Sequence, residues 1–131
     1  MGDAGSLFLG VLIATLAVRF EPKAESTLGS FATPLLLLAI PILDTTVAVL
    51  SRLRRKISPF QGGRDHLSHR LVRAGLSRKV AAIVLWSLTG LFGIFTVLIS
   101  LPNSRYEVII VLIALVFWML LFISFFRTKD Y

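Results

Sequence analysis

The sequence predicts an all-α integral membrane protein with about four transmembrane helices and a short amphipathic helix at the cytoplasmic surface. Hydrophobic residues make up 56% of its 131 residues. Uncharged runs of about twenty residues recur along the chain, and such runs indicate transmembrane helices because lipid offers no partner to unpaired backbone groups. A single long polar segment, residues 51–79, separates these runs into two pairs.

The predicted spans form one transmembrane domain and cover residues 4–20, 31–50, 80–101 and 108–126. The first span has only seventeen residues, whereas a full crossing takes about twenty. The second span contains Pro41, which cannot donate a hydrogen bond to the carbonyl of Leu37. A kink is therefore predicted just before Asp44, the one charged residue of this span.

The polar segment 51–79 is a basic loop that is predicted to lie in the cytoplasm. It contains nine lysine and arginine residues, both histidines and a single acid, Asp65. Positively charged loops stay on the cytoplasmic side of a membrane. Because two predicted spans lie on each side of this loop, both termini are expected in the cytoplasm too. The chain is thus predicted to be a multi-pass protein of the plasma membrane. Charges placed between apolar spans favour an anionic lipid leaflet or phosphorylated substrates as partners and argue against nucleic acid. The absence of cysteine excludes disulfides and thiolate metal sites.

The second half of the basic loop has the pattern of a short amphipathic helix. Asp65 is predicted to cap its start, Gly75 to end it and Ser77 to cap the helix that follows. The apolar residues Leu67, Leu71 and Ala74 share one face by their spacing. Basic and imidazole side chains are predicted to share another face, at positions His66, His69, Arg70 and Arg73.

This cationic face could bind a diphosphate, with guanidinium groups contacting the oxygens and imidazole acting as donor or acid. The residues of this candidate site are His66, His69, Arg64, Arg70 and Arg73. The alternative is a basic interfacial helix that only holds anionic lipid. Zinc is disfavoured, because Asp65 is the single oxygen ligand near the two histidines.

Two acids outside the loop each have two interpretations. Asp3 lies in the segment MGDAGS, where it is either a metal ligand or phosphate-site acid with small neighbours, or a simple helix cap near the terminus. Asp44 lies about 10 Å below the interface, counting 1.5 Å per residue. A charge at that depth is either functional or a neutral or arginine-paired structural acid.

Taken in order, the segments MGDAGS, PILDTT and SPFQGGRDHLSHRLVRAGLS resemble the polyprenyl-phosphate N-acetylhexosamine-1-phosphate transferases of the glycosyltransferase 4 group. This group includes the undecaprenyl-phosphate GlcNAc-1-phosphate and phospho-MurNAc-pentapeptide transferases. The resemblance implies an all-helical enzyme of ten or eleven spans that acts in cell-envelope polysaccharide biosynthesis. Such enzymes transfer a sugar-1-phosphate, here expected to be GlcNAc-1-phosphate, from a UDP-N-acetylhexosamine to polyprenyl (undecaprenyl) phosphate. They release UMP and use Mg²⁺.

The resemblance also implies roles for individual residues. Asp3 matches the family's magnesium ligand, and His66 and His69 match its catalytic histidine loop at the nucleotide-diphosphate site. Ser68 stands where many members have another histidine. Substrate contacts are expected from Arg64, Arg70, Arg73 and Asp44. Membrane lipids are further partners, and the full-length enzyme could be a homodimer.

The family's upstream aspartate pair and Asn/Asp-rich segment have no match in this sequence. The chain is therefore expected to be a C-terminal fragment that is inactive alone. The alternative is a non-catalytic four-span protein whose basic loop binds anionic lipid or a partner. A small transporter ranks last, because Asp44 is the single polar candidate at mid-membrane depth.

Overall fold

A computed structural model describes residues 3–19, 26–58, 65–101 and 106–128, and every regular element in these ranges is an α-helix. The all-α prediction is thus confirmed. The helices are α1 (Asp3–Arg19), α2 (Thr27–Leu37), α3 (Ala39–Arg54), α4 (Leu67–Arg73), α5 (Arg78–Ile99) and α6 (Glu107–Arg127).

Two helices of the described chain, α5 and α6, are long and apolar enough to cross a membrane, with 22 and 21 residues. The pair α2 and α3 passes the same test together but is bent by 64°, so it is either a broken span or a re-entrant loop. The described residues therefore contain two or three candidate spans, where the sequence predicted about four in the whole chain. Helix α1 has 17 residues, about 25 Å at 1.5 Å per residue, which falls short of a hydrocarbon core of about 30 Å.

The predicted kink exists, but it lies further from Asp44 than expected. Helices α2 and α3 meet at Leu38, which adopts a non-helical conformation between them. Pro41 has no N–H, and its ring crowds the carbonyl one turn earlier, at Leu37, so the helix breaks a turn before the proline. The indole Nε1 of Trp118 in α6 donates to the Ala39 carbonyl at 2.9 Å and so anchors the bend.

The apolar core lies where α3, α5 and α6 meet beside α4. Phe92 of α5 is buried at its centre, with ring centroids 6.0 Å from Phe95 and 5.8 Å from Phe117. The core comprises Ala39, Ile40, Leu43, Val47, Leu67, Phe92, Ala114 and Phe125. Most large apolar side chains on the outer faces of α5 and α6 are exposed, as suits helices surrounded by lipid.

Polar contacts define the two ends of this bundle. At one end the Ser26 hydroxyl donates to the Glu107 carboxylate, so the starts of α2 and α6 are adjacent. At the other end the Arg54 guanidinium lies 5.7 Å from the centre of the Phe126 ring. The basic loop and the end of α6 therefore share one end of the molecule, as the sequence predicted.

Helix α4 is shorter than predicted. It begins at Leu67, with His66 at the N-cap position, and the His66 side chain makes no capping hydrogen bond. The prediction that Asp65 caps this helix is wrong, because the Asp65 carboxylate accepts hydrogen bonds from two arginines instead. The predicted start of the next helix is confirmed, because the Ser77 hydroxyl accepts a hydrogen bond from the Val80 amide at 3.3 Å.

The end of α4 at Gly75 is also confirmed. Gly75 has φ +100°, a left-handed conformation that strains residues with a side chain. The Gly75 amide donates to the Val72 carbonyl at 3.1 Å and the Leu76 amide to the Leu71 carbonyl at 3.2 Å, the pair of bonds that defines a Schellman motif.

We expect Gly75→Ala to lower the free energy of unfolding by about 1–2 kcal/mol, the cost of a left-handed conformation for an L-residue. Gly90→Ala is the matched control, because an added Cβ meets nothing within 4 Å at either position and only Gly75 has a positive φ. The measurement is unfolding in mixed micelles titrated with SDS and followed by circular dichroism. Equal effects of the two substitutions would contradict the prediction.

Candidate functional site

Asp65, the single acid of the basic loop, is the first residue that holds the site together. Asp65 is buried, and its Oδ2 accepts from Arg52 Nε at 2.8 Å while its Oδ1 accepts from Arg55 Nη2 at 2.6 Å. Burial raises the pKa of Asp65, but the hydrogen bonds and charges of the two arginines outweigh it and leave the pKa below its usual value of 3.8. The carboxylate thus joins the end of α3 to the start of α4.

Arg70 is the second residue that holds the site together, and its side chain is fully buried. Its Nε donates to the Asp65 carbonyl at 3.0 Å and its Nη2 to the Ser51 hydroxyl at 2.8 Å. Its Nη1 donates to the carbonyls of Phe125 and Thr128 at 3.0 and 3.1 Å. These carbonyls belong to the last turn of α6 and its cap, where negative partial charge accumulates. One guanidinium therefore binds α4 to α3 and to the end of α6.

The position of Arg70 differs from the predicted cationic face. Arg70 follows the buried Leu67 by three residues, so the same spacing rule that groups it with His66 also groups it with Leu67. On this seven-residue helix, Arg70 lies at the boundary between the two faces. The positions of the available oxygen acceptors therefore decide the direction in which its guanidinium points. The guanidinium is directed into the protein and away from the exposed side of α4, where His69 and Arg73 lie.

Asp44 is paired with the start of α4. Its Oδ2 lies 2.8 Å from His66 Nδ1, and its Oδ1 accepts from the Leu67 amide at 2.6 Å. The first turn of α4 is therefore capped by a carboxylate 23 residues earlier in the chain. Within the described residues, Asp44 has no arginine partner, so the arginine-paired alternative finds no support there. Its partners are an imidazole and a backbone amide.

The exposed side of α4 and the first half of α5 enclose a groove of about 860 Å³. His69 and Arg73 line it from α4, and Arg78 and Trp86 line it from α5. The remaining lining residues are Ser68, Val72, Ala81, Ala82 and Leu85. The groove combines imidazole and guanidinium groups at one end with an apolar wall further along α5. It can hold an anionic group next to apolar material.

The structure thus brings together only part of the predicted site. His69 and Arg73 share the groove, whereas His66 precedes the lining residue Ser68 by two positions and is paired with Asp44. Arg64 and the side chain of Asp3 lie outside the described residues. Sequence reasoning missed Arg78 and Trp86. The sequence did contain one signal for Arg78. The predicted cap at Ser77 starts α5 shortly after the end of α4, and Arg78 is the first residue of α5.

The described residues contain no cluster of metal-ligating side chains. No three side chains of His, Cys, Asp or Glu within the described ranges come together. Both oxygens of Asp44 and both oxygens of Asp65 already accept hydrogen bonds from protein groups. The Mg²⁺ assignment and the role of Asp3 as its ligand therefore stay predictions.

These features define a class: a helical membrane protein that carries an imidazole- and arginine-lined groove where a basic loop meets its spans. Comparison with known proteins narrows that class. The chain is 32% identical over 117 residues to the Bacillus subtilis (strain 168) protein named "Probable undecaprenyl-phosphate N-acetylglucosaminyl 1-phosphate transferase". It is 31% identical over 120 residues to the undecaprenyl-phosphate alpha-N-acetylglucosaminyl 1-phosphate transferase of Escherichia coli (strain K12). The predicted resemblance is confirmed, and the chain is a homologue of these transferases.

The matches cover 89% and 91% of this chain. The chain spans about a third of the length of these two relatives, 32% of each. A third relative, from Haemophilus influenzae, is 35% identical over 86 residues, which are 65% of this chain and 24% of that protein. No protein-family profile matches the chain, and no solved structure does.

We expect Arg70→Met to lower the free energy of unfolding by about 3 kcal/mol or more. Hydrogen bonds to a charged group are worth about 1.5–3 kcal/mol each, and several buried oxygens lose their donor. Lys79→Met, which removes an exposed cation in the first turn of α5, is the control and should change the stability by about 0.5 kcal/mol at most. SDS titration of both variants tests this, and a similar loss in each would contradict it.

The ion pairs of Asp65 make part of the stability depend on pH. Because the pKa of Asp65 is lower in the folded protein than in the unfolded chain, their contribution is complete at neutral pH. It is lost as the pH falls below 3.8 through the folded pKa. Asp65→Asn should therefore lower the unfolding temperature at neutral pH, and the difference from the wild type should shrink at about pH 3. A difference that stays constant with pH would contradict this.

Proposed function

We propose that this chain is part of an enzyme that transfers GlcNAc-1-phosphate from UDP-GlcNAc to undecaprenyl phosphate. An oxygen of the lipid phosphate attacks the phosphorus attached to the sugar. The bond from that phosphorus to the bridging oxygen breaks, and UMP leaves with the bridging oxygen. The homology to undecaprenyl-phosphate transferases over nine-tenths of the chain supports this reaction.

The observation that carries the proposal is the convergence of His69, Arg73 and Arg78 in one groove from two different helices. A phosphoryl transfer needs negative charge to be stabilised on the equatorial and leaving oxygens, and placed donors do most of that work. Guanidinium groups match phosphate oxygens in geometry and stay charged. The groove is therefore our candidate for the diphosphate site, with Arg64 as a further expected contact.

The acceptor's isoprenoid chain needs apolar surface at membrane depth. A second cleft of about 330 Å³ lies at the bend between α2 and α3, against α5 and α6, and its lining is almost entirely apolar. Phe31, Leu35 and Trp118 are among its lining residues. In the proposed arrangement the basic loop and both termini face the cytoplasm at the plasma membrane, where UDP-sugars are available. Asp3 would supply one ligand to Mg²⁺.

The rival function, a basic loop that only binds anionic lipid, has weaker support. A leaflet attracts cationic side chains that are free to face its headgroups. Arg52, Arg55 and Arg70 instead donate to oxygens of the protein. This use of the charge indicates a built site in preference to a diffuse basic surface.

The test is a chimera in which this chain replaces the matching third of the Bacillus subtilis relative. Membranes are assayed for transfer of labelled GlcNAc-1-phosphate from UDP-GlcNAc to undecaprenyl phosphate. Arg78→Ala and His69→Ala should each lower kcat/KM by about 10²–10³, the usual cost of removing a donor to developing charge. Asp3→Asn should be at least as damaging if it binds the metal.

Lys79→Ala is the matched control, because Lys79 is an exposed cation next to Arg78 that does not line the groove. Its rate should equal that of the unmutated chimera. Equal losses for Lys79 and Arg78 would mean that charge density alone matters and would favour the lipid-binding function. A chimera that inserts normally, binds anionic vesicles and transfers nothing would overturn the proposed reaction.

A further inference from the structure

The contacts of Asp44 do not fit a role in binding a diphosphate. A carboxylate repels phosphate oxygens and has no hydrogen to donate to them. Its side chain is about one-third exposed, yet both of its oxygens are engaged within the protein, one by His66 and one by the Leu67 amide. A carboxylate held at both oxygens by the start of one helix is suited to orienting a neighbouring group.

The neighbouring group is the His66 imidazole. A neutral imidazole has one nitrogen that donates and one that accepts, and an ionised carboxylate only accepts. The separation of 2.8 Å between His66 Nδ1 and Asp44 Oδ2 therefore requires the proton to be on Nδ1. The other nitrogen, Nε2, is then without a proton when the ring is neutral. Carboxylates that support a functional histidine fix its tautomer in the same way.

We propose that Asp44 is a positioning residue that holds His66 in the Nδ1-protonated tautomer and makes Nε2 the proton-accepting atom of the site. The tautomer stands on the contacts alone, whereas the use of Nε2 in the reaction rests on the proposed function. In that reaction the group that can give a proton to Nε2 is the attacking lipid phosphate, a phosphate monoester in its monoprotonated form. Its proton moves from the phosphate oxygen to Nε2, which leaves a phosphate dianion and an imidazolium whose Nδ1–H stays bonded to Asp44.

The two histidines thereby receive different tasks. His69 lines the groove with the guanidinium groups that suit an anion, whereas His66 does not line it and is half exposed two residues before the lining residue Ser68. A neutral His66 with its proton on Nδ1 cannot donate from Nε2 to a diphosphate oxygen, but it can accept a hydrogen from a hydroxyl. The anion contacts therefore belong to His69, Arg73 and Arg78, and the proton transfer belongs to His66.

Nuclear magnetic resonance of the chain itself tests the tautomer directly. The chain contains only two histidines, so ¹⁵N-histidine labelling in nanodiscs gives two sets of ring signals, and His69→Gln assigns them. Spectra are recorded at about pH 8.5, well above the ordinary imidazole pKa of about 6.5. We expect a protonated Nδ1 and an unprotonated Nε2 for His66. A protonated Nε2 in the unmutated chain would overturn the proposal without any variant being needed.

Asp44→Asn separates orientation from helix capping. The amide oxygen can still accept from the Leu67 N–H, but the amide NH₂ donates to Nδ1 and forces the proton onto Nε2. In the His66 spectrum, Nε2 should therefore become the protonated nitrogen and Nδ1 the unprotonated one. The His69 and indole signals should stay unchanged, which would show that the fold is intact. If His66 keeps its proton on Nδ1 in this variant, Asp44 does not set the tautomer and the proposal fails.

In the chimera, Asp44→Asn should lower kcat by about 10–100-fold, the usual effect of losing a supporting carboxylate, and leave KM within about twofold. A purely structural role would lower the amount of folded protein and leave kcat per folded molecule unchanged. If no chimera transfers sugar phosphate but the tautomer is as stated, the proposed function fails alone. If transfer occurs and Nε2 is protonated in the unmutated chain, only this inference fails.

Discussion

The fully buried guanidinium of Arg70 constrains this structure more than any other described group. A buried cation is tolerated only when its donors find acceptors, and the acceptors here come from three parts of the chain. The Ser51 hydroxyl lies near the end of α3, the Asp65 carbonyl precedes α4, and the Phe125 carbonyl lies in the last turn of α6. Satisfying one side chain therefore fixes the end of the last span against α4, the helix that carries His69.

Helix α4 depends on such contacts because it is too short to be stable alone. Seven residues give few internal hydrogen bonds, and isolated helices shorter than about 12–15 residues are marginal in water. Asp65 lies just before α4, and its ion pairs with Arg52 and Arg55 attach this segment to the end of α3. Asp44 supplies the cap that α4 lacks by accepting a hydrogen bond from the Leu67 amide. The same polar contacts that hold this helix also set the direction of His66 and leave His69 facing the groove.

Much of the fold could be predicted from the sequence because its signals are local. Apolar runs of membrane length predicted α5 and α6, Pro41 predicted a bend, and the left-handed preference of Gly75 predicted the end of α4. The errors also have local causes. A carboxylate at the start of a helical pattern resembles a cap, and Asp65 failed as one because two arginines compete for its oxygens.

The sequence by itself determined that this is a helical membrane protein with one basic, histidine-bearing loop, and its motifs were sufficient to recognise the transferase resemblance. Only the tertiary structure decided which charged groups face the groove and which support it. Asp65, Asp44 and Arg70 find partners 13, 22 and 55 residues away. No periodicity within a helix carries that information. The choice depends on which oxygens the packing of α3 and α6 brings within hydrogen-bond distance, and that packing is a property of the whole bundle.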